Sequence, residues 1–257
     1  MSPPDFPPPP IFHKNRVKNK PRNVFIFPSC KPRPAKNALK GEQVMKSFSQ
    51  WTKEQIETEF HLKKALKNKI LQDWLTNIPT VSAKEKERLE QLSQKLLNHV
   101  HDWNEEELKV YFIAFLLDFI DFYQASYRPF MERDLSVEYE KGKRLWGNAD
   151  FLVASGTQTP KEPFFFIHEY KKQLDTSNDP LGQLLAEMVA AQKLNLSNHP
   201  IYGAYVIGRH WYFVILDETT YAESLAYDAT KEDIIEIVSI LRQTKTIIDH
   251  ILQSSNE

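Results

Sequence analysis

The chain has a single cysteine, Cys30, among its 257 residues, so no disulfide can form within it. That economy fits a reducing compartment and excludes a small scaffold held together by disulfides. Long apolar runs are missing too. The longest, residues 110–123, is broken by Asp118 and Asp121 and is too short to span a bilayer. The N-terminus is rich in proline and has no apolar h-region of the kind a secretory signal carries. These absences predict a cytoplasmic protein with no membrane partner. His99 and His101 have no cysteine partners and make no zinc motif. No Gly-x-x-x-x-Gly-Lys phosphate loop occurs, so any motor would be a separate chain.

What is present suits one sizeable domain with an appendage, or two small domains. Hydrophobic residues make up 41% of the chain, enough for a substantial core. The net charge of -1 hides an asymmetry. The first 100 residues carry 19 Lys+Arg against 9 Asp+Glu, and residues 101–257 carry 14 against 25. An acidic C-terminal part repels phosphate backbones unless a metal or local basic groups compensate. The basic N-terminal part can grip nucleic acid or simply attract the acidic part.

Three segments follow from the pattern. Residues 1–46 hold the run Pro7-Pro8-Pro9-Pro10 and many lysines and arginines, the composition of an extended or disordered basic tail. Within it, residues 24–27 form an apolar island able to dock on the folded part. Residues 47–100 read as a helical module. Trp51, Ile56, Phe60, Leu62, Leu66, Ile70 and Trp74 recur at helical steps, Pro79 closes that region, and Ser82 with Glu85 forms a capping box for a second helix. Residues 101–257 read as an α/β domain. A helix starts near Asp102 with Glu105, Glu106 and Glu107 in its first turn. It is apolar nearly all round and is expected to be buried against a sheet.

In that domain, residues 134–140 and 144–153 form a hairpin around Lys141-Gly142-Lys143. After a loop at residues 155–163, residues 164–170 are so continuously apolar that the strand must be central. Asp179 and Pro180 start a helix as cap and first residue. Residues 201–207 and 211–216 pair across Gly208-Arg209, and Thr230 caps a last amphipathic helix. The order is helix, three strands, helix, two strands, helix, a mixed α/β sandwich.

Two of these strands carry chemistry that a buried strand should avoid. Asp150 lies in the second, and the third ends His168-Glu169-Tyr170-Lys171. Side chains alternate along a strand, so Glu169 and Lys171 share one face, while His168 and Tyr170 share the other. His168 therefore reads as a packed histidine. A buried carboxylate needs a cation or several donors, and pairing of the two strands brings Asp150 to Glu169 and Lys171.

This arrangement resembles the PD-(D/E)XK nuclease superfamily, whose fold is restriction-endonuclease-like. Asp150 stands for the first Asp, Glu169 for the second acid and Lys171 for the lysine, while Ala149 replaces the proline. Tyr202-Gly203, Gly208 and Trp211-x-Phe213 add a likeness to the N-terminal nuclease domains of type I restriction enzyme motor subunits. The resemblance covers roughly residues 101–250. It implies a restriction-endonuclease-like mixed sheet flanked by helices, Mg²⁺ or Mn²⁺ held by Asp150, Glu169 and the backbone carbonyl of Tyr170, and hydrolysis of nucleic acid, DNA above all, to 5′-phosphate products. It also implies a site role for Gln183 and an added acid from the preceding helix, Glu107 or Glu106, for which helix-start charge is the competing explanation. Glu187 and Gln192 read as surface residues. The rival expectation is an inactive nuclease-fold scaffold in a defence or repair complex, with a protein partner or a second copy. A carboxylate-pair glycosidase leaves Lys171 without a role.

Overall fold

A computed structural model describes residues 46–76, 79–174, 179–196 and 198–254. Residues 1–45 of the predicted tail, including its apolar island at 24–27, lie outside the described residues. Residues Glu42–Glu257 form one compact unit. It is a mixed α/β fold with an eight-stranded mixed sheet flanked by helices.

In chain order, a 3₁₀ turn (Phe48–Gln50) precedes α1 (Lys53–Phe60), β1 (Lys63–Lys64), α2 (Lys69–Thr76) and α3 (Ala83–His99). Next come α4 (Glu105–Leu108), a π-helical segment (Lys109–Ile113) and α5 (Ala114–Asp118). Strands β2 (Arg128–Glu140), β3 (Lys143–Ser155) and β4 (Lys161–Lys171) lead into α6 (Pro180–Leu194). The chain closes with β5 (Ile201–Ile207), β6 (His210–Asp217), β7 (Thr220–Glu223), β8 (Tyr227–Asp228) and α7 (Asp233–Ser254).

The sheet runs β1-β7-β6-β5-β4-β3-β2, with β8 pairing to β6. β4 and β5 are parallel, joined by the α6 crossover that a parallel pair requires, and β3 pairs antiparallel to β4. β4 is thus interior and covered on both faces, which is why its sequence is apolar without alternation. On one face Phe151, Phe166, Tyr202 and Phe213 pack with residues of α2, α3, α5 and α7. On the other, Leu152, Ile167, Val214 and Leu216 pack with α6, Trp51 and Ile56. Asp150, Glu169 and Lys171 share strand parity with Leu152 and Ile167, so they belong to the α6 side.

Several expectations hold. Ser82 accepts from the Glu85 N–H and Glu85 answers at the Ser82 N–H. Asp179 caps α6 by accepting from Gly182 N, and its second oxygen accepts from Lys53 N at the start of α1. Gly182 lets those helices meet, for a Cβ there would lie 2.4 Å from Lys53 N and 2.7 Å from Trp51 O. Gly208 has φ +58° in the two-residue β5–β6 turn, the left-handed conformation that position requires.

Others need correction. Residues 62–66 are not helical. His61 adopts a left-handed conformation, Lys63–Lys64 pair in parallel with β7, and Leu66 is 95% exposed. Tertiary pairing overrode the helical spacing there. The helix after Asp102 is not buried all round, because Val110, Tyr111 and Phe115 stay about half exposed. β2 starts six residues before the predicted Asp134, and β4 reaches back to Lys161 into the predicted loop. The short strands β7 and β8 escaped the pattern altogether. Thr230 does not cap α7. Its N–H and hydroxyl donate to Asp228 in the preceding turn.

Candidate active site

The register places Phe151 opposite His168, so the neighbouring Asp150 faces Glu169 across the β3–β4 pair. Asp150 Oδ2 accepts from the Tyr170 N–H at 2.9 Å, which ties the first acid to the strand carrying the second. Lys171 Nζ donates to Glu169 Oε1, and Glu105 Oε2 lies 3.8 Å from the same ammonium. The predicted trio of Asp150, Glu169 and Lys171 therefore converges, and all three side chains are buried.

Helix α6 adds two groups. Gln183 is buried, as is Glu187, and Gln183 Nε2 donates to Glu187 Oε1 at 3.2 Å. Glu187 is thus no surface residue, contrary to the sequence reading. A glutamate inside the apolar stretch 181–191 was the available signal. A helix buried nearly all round has no exposed side on which to put it.

The start of α4 and the π-helical segment supply the rest. Glu107 does not reach the cluster. Its carboxylate accepts from the Asn104 N–H while Asn104 Oδ1 accepts from Glu107 N, a capping box. The acid that approaches Lys171 is Glu105, and Glu106 touches the cluster through Lys109. Lys109, which sequence reasoning passed over, lies at the centre of a carboxylate cage. Its Nζ is 2.9 Å from Asp150 Oδ1, 2.8 Å from Glu132, 3.3 Å from Glu105 and 3.4 Å from Glu106. Lys109 is the lone cation in an otherwise apolar helical run, and that was its signal. Its turn is π-helical, a local widening that often marks functional sites.

Electrostatics follow from burial. Burial and the charge of Asp150 push the Glu169 carboxyl up to about 8, against the opposing pull of Lys171. Glu187 is held well above the usual carboxylate range, by burial first and then by Glu169 and Asp150. Burial disfavours the charge on Lys171, yet Glu169, Glu105 and Asp150 outweigh it and raise its pKa. Lys109 likewise stays charged despite burial, held by Asp150 and Glu132. On the opposite face His168 is fully buried and held down to about 3 by burial, its Nδ1 bonded to the Tyr170 hydroxyl at 2.9 Å. It is a packed neutral histidine, as its parity predicted.

A stability consequence follows for the metal-free protein. Glu169 and Glu187 bind protons more tightly folded than unfolded. Their contribution is therefore complete below about pH 4.5 and is lost as pH rises through their folded values, about 8 for Glu169. Thermal unfolding should show the melting temperature falling across that window. Glu187→Gln should flatten the fall, and an unchanged slope would remove Glu187 from the account.

Three buried oxygens in this cluster, Glu169 Oε2, Gln183 Oε1 and Glu187 Oε2, have no hydrogen-bond partner among the described residues. Each such atom costs about 1–3 kcal/mol. An all-oxygen set of this kind fits a hard divalent cation, whose charge would displace the protons held by Glu169 and Glu187. Among the described residues, no group of three His, Cys, Asp or Glu side chains is already arranged to hold one. Both Asp150 oxygens are engaged, one by Lys109 and the other by the Tyr170 N–H. Also among the described residues, no helix is long and apolar enough to cross a membrane. The chain matches no protein-family model and no curated protein.

Proposed function

We propose that this chain hydrolyses phosphodiester bonds of nucleic acid, DNA first, with a PD-(D/E)XK-type site on a restriction-endonuclease-like fold. The observation behind this reading is the buried convergence of Asp150, Glu169 and Lys171 beside three unpartnered oxygens. Asp150, Glu169 and Glu187 would hold Mg²⁺ or Mn²⁺, with Gln183 and the Tyr170 carbonyl as further oxygen donors. When bound, such a cation supplies an activated water and charge relief at the phosphate.

The remaining roles fall to the protein. Lys171, positively charged at neutral pH, orients the attacking water and faces the charge that builds on the phosphate oxygens. A simple general-base role suits it poorly, because the surrounding carboxylates keep its proton in place. The Tyr170 N–H fixes Asp150, and Gln183 fixes one oxygen of Glu187.

A second reading, an inactive scaffold of the same fold, draws on one observation: the Lys109 ammonium occupies Asp150 Oδ1. The two readings separate in one experiment. Supercoiled plasmid and single-stranded DNA are incubated with the protein and Mg²⁺ or Mn²⁺, and cation binding is titrated by calorimetry. The nuclease reading expects cleavage, with cation binding that Asp150→Ala abolishes. Neither cleavage nor cation binding by the unaltered protein would leave the scaffold reading standing.

A further inference from the structure

Between α5 and the edge strand β2, a groove of about 490 Å³ is lined by Leu117, Asp118, Asp121, Tyr123, Met131 and Phe151. A second hollow of about 380 Å³ continues it, sharing Tyr123, Pro129 and Met131 and adding Arg128 and Arg133. Phe122 and Phe151 form a buried aromatic floor, their ring centroids 5.9 Å apart. Tyr123 and Met131 stand exposed above it, at 67% and 43%.

The charges of this groove are separated. Asp118 and Asp121 line one end, Arg128 and Arg133 the other. None of the four forms an ion pair among the described residues, and the Arg128 guanidinium meets only the Thr157 carbonyl, at 3.0 Å. Unpaired guanidinium groups suit a phosphate. An aromatic and methionine surface suits a flat ring, since base stacking on aromatic side chains is tolerant of sequence. Carboxylates beyond the ring accept from base N–H groups, as acids do from the cytosine amine.

The groove is tied to the acidic site by register. Met131 pairs with Phe151 and Arg133 with Ala149, so the two β2 residues bracket Asp150 on the neighbouring strand. Glu132 between them is ion-paired to Lys109, and Lys109 to Asp150. Phe151 faces the groove and Asp150 the α6 side of the sheet, so the edge strand β2, through Glu132, connects the two.

We infer that this groove is a nucleotide subsite for single-stranded nucleic acid. It would hold an unstacked base on Tyr123 and Met131 and its phosphate on Arg128 and Arg133, along the β2 edge that leads to the acidic site. The inference rests on the nuclease reading above and adds to it a substrate class and a binding surface.

The test uses the full chain and a single-stranded oligonucleotide carrying 5-iodouracil, in Ca²⁺ to hold back cleavage. Irradiation should cross-link the base to Tyr123 or Met131, mapped by mass spectrometry. Arg133→Glu should weaken binding about tenfold or more without moving the melting temperature. Binding with cross-links mapping elsewhere and no effect of Arg133→Glu would overturn the subsite. Cleavage of duplex plasmid by a protein that does not bind the single strand would also overturn it, leaving the nuclease reading intact. Neither binding nor cleavage of any nucleic acid would bring down both.

Discussion

For the nuclease proposed above, Lys171→Ala should lower the rate of metal-dependent DNA cleavage by about 10²–10³-fold. The magnitude is that of removing one preorganised donor aimed at developing charge in a water-poor site. Lys171 is buried, its ammonium is fixed by Glu169 with Glu105 at 3.8 Å, and its positive charge is secured by those carboxylates. Such a group needs no reorganisation when charge builds on the phosphate. Removing it also lifts a competing cation from Glu169, so Mg²⁺ affinity should hold or rise while the rate falls. That split separates a catalytic role from a structural one. Single-turnover cleavage with calorimetric titration of Mg²⁺ reads both quantities, and unchanged cleavage by Lys171→Ala would take the lysine out of the reaction.

Lys109→Met destabilises the metal-free protein by about 3–5 kcal/mol, the usual cost of leaving a buried charge without its partner. Methionine keeps the aliphatic stem and removes the ammonium that touches Asp150, Glu132, Glu105 and Glu106. Those acids are then uncompensated, and a divalent cation becomes the available remedy. Mg²⁺ should therefore bind about tenfold or more tightly, worth about 1.4 kcal/mol or more, and restore much of the lost melting temperature. Lys109 on this account is a tethered cation holding Asp150 in the metal-free state. Weaker Mg²⁺ binding in the variant would show instead that the lysine only orients Asp150, and would sink the competition argument. Chemical denaturation in EDTA, repeated with Mg²⁺, separates these outcomes.

The sequence by itself determined the elements whose signals are local. The Ser82–Glu85 capping box, the Asp179–Pro180 helix start, the Gly142 and Gly208 turns and the unbroken apolar run of β4 all use short-range sterics and hydrogen bonding. Strand alternation likewise put Glu169 and Lys171 on one face and His168 on the other. Resemblance, rather than periodicity, singled out Gln183. Only the tertiary structure decided the rest. Residues 62–66 carry helical spacing, yet parallel pairing of Lys63–Lys64 with β7 outweighed that preference. Glu107, the favoured helix acid, was claimed by Asn104 one turn away, and Glu105 faced the site instead. Lys109 and Glu187 are polar residues in apolar helices, and sequence alone leaves open whether such a residue faces water or a buried partner. The groups that set their charge, Asp150 for Lys109 and Glu169 for Glu187, lie on other elements, with Lys109 and Asp150 separated by 41 positions. Burial turns those distant charges into strong neighbours, because a low-dielectric interior magnifies each uncompensated carboxylate and makes its pairing a property of the assembled fold.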